Sequence, residues 1–104
     1  MTVPAIFSNT REVDAGVTRA AKALGKDVIS IHYDLDFDAM GNAAIFFKIV
    51  LADYASRQPK IRDVTRRVAL TLMKEVQTDA NGVHAYFNFR SQSEVALMND
   101  PAWV

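Results

Sequence analysis

The apolar residues of this chain switch repeatedly between a helical and an alternating period, and each switch marks an element. Over "NTREVDAGVTRAAKALG", Val13, Val17, Ala20, Ala21 and Leu24 recur at helical spacing and predict an amphipathic helix. Asn9 with Glu12 three residues on has the form of a capping box, and Gly25 stands where a left-handed C-terminal cap belongs. In "DVISIHYDLDFD" the period becomes two. Ile29, Ile31, Tyr33, Leu35 and Phe37 fall on one face and Ser30, His32, Asp34, Asp36 and Asp38 on the other. After the turn residues of "AMGN", the stretch "AAIFFKIVLAD" is apolar on both faces except for Lys48. It reads as the second strand of a hairpin, covered on both sides inside the sheet or by another subunit.

"PKIRDVTRRVALTLMKEV" returns to helical spacing, with Ile61, Val64, Val68, Leu72 and Val76 as its stripe and Pro59 suited to a first helical turn. Asn81 and Gly82 close it, and "VHAYFNFR" alternates again: Val83, Ala85, Phe87 and Phe89 inward, His84, Tyr86, Asn88 and Arg90 outward. "SQSEVALMND" predicts a short terminal helix with a Ser91 to Glu94 capping box, stopped before Pro101. The order is α-β-β-α-β with a short C-terminal helix. Two helices on one face of a three-stranded sheet give an α+β two-layer sandwich with one open face. No repeat or linker divides residues 1–104, so a single domain is expected.

Composition narrows the functions. At 104 residues, half of them apolar, folding removes about two-thirds of the chain's surface from water and leaves little room for a deep cavity. Surface binding is favoured over enclosed chemistry. Twelve basic residues balance twelve acidic ones. No overall field draws nucleic acid, which is a disfavoured partner, and neutrality eases self-association. The absence of cysteine excludes disulfides, thiolate zinc sites and a cysteine nucleophile. "MTVPAIFSN" has neither a basic start nor an apolar run of signal-peptide length, and no segment reaches the roughly 20 apolar residues needed to cross a membrane. A cytoplasmic location with no membrane partner is expected.

Strand parity gathers the candidate interaction face: His32, Asp34 and Asp36 from the first strand, Phe46, Lys48 and Val50 from the second, His84, Tyr86, Asn88 and Arg90 from the third. A solvated sheet face carries such residues without further role, with Lys48 and Arg90 offsetting the carboxylates across strands. The carboxylate triplet suggests calcium, but an EF-hand loop counted from Asp34 has Ala39 where glycine belongs and Ile45 where the closing glutamate belongs. Asp34 and Asp36 could share magnesium or manganese, which with His32 would make a metal-dependent hydrolase or nuclease. His32, Asp34 and His84 have the ligand types of a non-haem iron facial triad, a site that requires the first and third strands to be neighbours. Phe46 and Tyr86 beside Lys48 and Arg90 could stack single-stranded nucleic acid, but the acid row would repel its phosphates. No nucleophile elbow, phosphate-cradling glycine loop or H-E-x-x-H is present, and no metal or cofactor is expected.

Arg57, Lys60, Arg62, Arg66 and Arg67 against Asp63 give residues 57–67 a charge of +4, while residues 26–38 carry −3. Cations in a first helical turn oppose the macrodipole, which marks these five as a candidate anion-binding group. "AIFFKIVLAD" and "YFNFRSQSE", spaced by an arginine-rich helix, resemble short bacterial proteins that have no assigned activity, over residues 43–94. That resemblance implies a bacterial, cytoplasmic protein and no site residue. The resulting expectation is a small non-catalytic protein-interaction module, self-associating through the open sheet face or the second strand.

Overall fold

A computed structural model of the chain describes residues 5–103, so Met1–Pro4 of the N-terminal stretch read above lie outside it. Helix α1 spans Thr10–Leu24, strand β1 Val28–Phe37, strand β2 Ala43–Leu51, helix α2 Lys60–Val76, strand β3 His84–Ser91 and helix α3 Gln92–Met98. Short 3-10 turns cover Ala5–Phe7, Gly25–Asp27, Asp53–Ser56 and Pro101–Trp103. The sheet runs β1-β2-β3, with β1 antiparallel and β3 parallel to β2. A five-residue turn suffices for the antiparallel pair, whereas the parallel pair needs a crossover, and α2 supplies it. This is the expected α+β sandwich of two helices on a three-stranded sheet.

The core forms where the apolar stripes of the helices meet the inward side of the sheet. Ile45, Phe47, Ile49 and Leu51 of β2 are all at most 1% exposed and pack with Val13, Ala20 and Leu24 of α1 and Val64, Val68, Leu72 and Val76 of α2. Each of these side chains larger than that of Ala20 contributes about 1.5–3 kcal/mol on burial. On α1 the buried stripe includes Gly16, while Ala21, expected inside, is exposed. The exchange has a steric reason. A Cβ on Gly16 would lie 2.7 Å from the Glu75 carbonyl oxygen, so glycine lets α1 and α2 meet backbone to backbone. Arg19 fastens the same crossing, its Nε donating to Glu75 Oε1 at 3.1 Å and its Nη2 to the Glu75 carbonyl at 3.0 Å.

The caps at the end of α1 and at the start of α3 follow the sequence, while those of α2 and the start of α1 differ from it. Gly25, at φ 69°, ends α1, and the Ser91–Glu94 capping box of α3 forms with both of its bonds. Pro59 stands just before α2 rather than in its first turn, and α2 ends at Val76 with a left-handed Gln77 (φ 56°) as its cap; Asn81, expected to close it, lies beyond and donates its side-chain amide to the carbonyls of Val76 and Gln77. Asn9, by contrast, precedes α1 without a side-chain cap bond.

Strict alternation in β1 fails at one residue. Val28 pairs with Leu51 but Ser30 pairs with Val50, so β1 carries one extra residue and bulges there. Ile29, expected inside, is consequently 50% exposed, and Val28 takes the inward place.

Candidate functional site

Register converts the outward residues of the three strands into four rows, each read from β1 through β2 to β3: Asp36, Ala44, His84; Asp34, Phe46, Tyr86; His32, Lys48, Asn88; and Ser30, Val50, Arg90. All ten residues expected on this face are there, joined by Ser30 and Ala44. The two middle rows form its centre. Phe46 and Tyr86 stack with ring centroids 5.1 Å apart and planes 13° from parallel. Phe46 is half-buried and Tyr86 is 42% exposed, so the pair presents an aromatic surface to solvent.

The third carboxylate of the triplet has a separate task. Asp38 lies beyond β1, in the turn, where its Oδ1 accepts the backbone N–H groups of Met40 and Asn42 and its Oδ2 accepts the Tyr86 hydroxyl at 2.7 Å. Gly41, at φ 81°, makes the turn. The Tyr86 hydrogen bond, with those from Asn42 and Met40, holds the Asp38 carboxyl below its usual range, and the same bond raises the Tyr86 phenol. The signal for this role was in the sequence: an aspartate opening D-A-M-G-N is a turn residue before it is a ligand.

The far row is closed. Val50 is 4% exposed and Trp103 5%, and the Arg90 guanidinium lies 5.5 Å from the centre of the Trp103 ring. Arg90 stands beside Val50 in the register, so the C-terminal turn folds over this end of the face and withdraws Val50 from contact with a partner. The ion pairs expected between Lys48 or Arg90 and the acid row are not formed. Among the described residues the ion pairs are Arg19–Glu75 and Arg67–Asp27. Sequence reasoning missed Trp103, whose only signal was a large aromatic just after Pro101.

Topology decides the metal hypotheses that depended on it. β2 separates β1 from β3, which puts the histidine strands nearly 10 Å apart, and the histidines also stand in different rows, His32 with Lys48 and His84 with Ala44. They cannot form a facial triad. Among the described residues no three His, Asp or Glu side chains are grouped so as to hold a metal ion.

The five-residue basic group is divided by the helical period. Arg67 pairs with Asp27, which also accepts the Tyr54 hydroxyl at 2.7 Å, and Lys60 lies 5.7 Å from the centre of the Tyr54 ring. Two hydrogen bonds from Ser93, and after them the charge of Arg57, hold the Asp53 carboxyl below its ordinary value. Arg62 and Arg66, one turn apart, fall on the opposite flank of α2 from Lys60 and Arg67, so no single anion would meet all five.

Two open clefts border α1. One, of about 420 Å³, reaches the end of α2 and is lined by the Arg19–Glu75 pair; the other, of about 400 Å³, lies against β1, beside the Tyr33 hydroxyl that donates to Asp14 at 2.6 Å. No family model and no curated protein sequence matches the chain. No helix among the described residues is long and apolar enough to cross a membrane.

Proposed function

We propose that this protein is a small non-catalytic interaction module that binds a protein partner, a second copy of itself included, through the middle of its open sheet face. The observation that carries this is the stacked Phe46–Tyr86 pair, left partly in solvent on the open sheet face and framed by Asp34, Lys48 and Asn88. An aromatic centre with a polar rim is the composition of protein interfaces, whereas small-molecule sites are concave. β2 contributes through its face alone, because both of its edges are used in ladders. Light scattering from about 10 µM to about 1 mM, a range spanning weak to moderate affinities, tests self-association, and a pull-down tests other partners. Association or capture that Phe46→Ser with Asp34→Lys abolishes, at unchanged circular dichroism, supports the reading. A monomer throughout, with nothing captured, overturns it.

A further inference from the structure

The two edges of the sheet are not equivalent. β1 carries the bulge at Ile29 and the exposed carboxylates Asp34 and Asp36, which are devices that keep an edge strand from pairing with another chain. β3 has no such protection: over His84–Ser91 there is no proline, lysine or carboxylate, and its register with β2 is unbroken. Among the described residues, His84–Arg90 make no backbone-to-backbone hydrogen bond outside the ladder with β2, and the Phe89 carbonyl accepts the Arg90 Nη1 at 3.2 Å. Phe87 and Phe89, on the inward side of this edge, are only half-buried by the helices.

We infer that a second copy of the chain pairs antiparallel along β3, joining two three-stranded sheets into one of six strands. The sequence of β3 fits a two-fold axis at Asn88. About that residue Phe87 of one copy faces Phe89 of the other, twice, giving aromatic cross-strand pairs, and Tyr86 stands opposite Arg90, twice, so that no like charges meet. An axis one residue earlier would set His84 against Arg90 instead. Pairing at β1 would bring the acid rows of two copies together, a repulsion that selects against that edge. The six-stranded sheet doubles the open face into a continuous platform. This inference rests on the reading of the chain as a self-associating interaction module, and it moves the contact between copies from the open face to the β3 edge, leaving the face to another partner.

The cysteine-free chain allows a direct test. In the proposed pairing the two Asn88 Cα atoms lie about 4.5–5.5 Å apart, within disulfide range. The full chain carrying Asn88→Cys, treated with diamide as oxidant, is expected to give a covalent dimer at protein concentrations where Asp34→Cys stays largely monomeric. Asn88→Asp, which opposes two carboxylates at the axis, is expected to shift sedimentation from dimer to monomer with unchanged circular dichroism. Should the wild type dimerise while Asp34→Cys cross-links and Asn88→Cys does not, edge pairing is overturned and self-association through the face stands. A wild type that sediments as a monomer at every concentration overturns edge pairing outright, while capture of another protein through the face would leave the module reading intact.

Discussion

Gly16 shows how much a single side chain can decide. A methyl group there would meet the Glu75 carbonyl oxygen at 2.7 Å and the Val76 Cα at 3.3 Å, both backbone atoms that cannot rotate aside. Gly16→Ala gains about 1 kcal/mol of helix propensity, yet forcing α1 away from α2 costs about 1–3 kcal/mol. A net loss of stability is expected, read as a lower urea midpoint at unchanged slope. Thr78 makes the opposite case. It is 1% exposed, and among the described residues its hydroxyl has no hydrogen-bond partner. Thr78→Val keeps the shape and removes the unpaired group, so stability is expected to rise by up to about 1–3 kcal/mol of avoided desolvation, read as a higher urea midpoint. Neither effect was legible in the sequence. Gly16 reads there as a weak helix residue and Thr78 as part of a polar turn, because close approach and burial are properties of the partner element.

Between elements, two aspartates act as fasteners. Asp38 ties the β1–β2 turn to β3 through Tyr86, and Asp53 ties the turn after β2 to α3 by accepting the Ser93 N–H at 2.9 Å and hydroxyl at 2.6 Å. Hydrogen bonds, from Tyr86 first for Asp38 and from Ser93 for Asp53, hold both carboxyls below the ordinary 3.8. A carboxyl lowered by folding contributes stability that is complete above its unfolded value and is lost as pH falls through the folded one. Stability is therefore expected to decline below about pH 4, and Asp38→Ala with Asp53→Ala to flatten that decline in urea titrations at each pH. At α3 the capping box predicts that Ser91→Ala costs about 1 kcal/mol. The box was readable because its two residues are three apart. The bulge at Ile29 was not, since alternation presumes a constant register, and only the pairing with Leu51 and Val50 reveals the extra residue.

Across the whole molecule, each of the three tyrosines of the chain donates its hydroxyl to an aspartate of a different element: Tyr33 to Asp14, Tyr54 to Asp27 and Tyr86 to Asp38. The partners are 19, 27 and 48 residues apart, so no local spacing could announce them. The same holds for the closed end of the sheet face, where Val50 and Trp103 stand 53 positions apart (103 − 50). Parity, by contrast, is local, and it assembled all ten residues of the face before any strand order was known. Burial, and then the Asp14 hydrogen bond, push the Tyr33 phenol up to about 12, and the aspartate hydrogen bonds also raise Tyr54 and Tyr86. A phenol raised by folding keeps its proton in the native state after the unfolded chain has lost it. Its stabilisation is complete below the unfolded value near 10 and is lost as pH rises through the folded one, so stability falls across the window from about 10 to about 12. Tyrosinate absorbance at 295 nm should thus appear in the native protein only above pH 10, and near 10 in the urea-unfolded chain. Tyr33→Phe, Tyr54→Phe and Tyr86→Phe should each remove one late-titrating phenol. Native tyrosines that ionise together with the unfolded ones would mean that these three bonds do not join the elements.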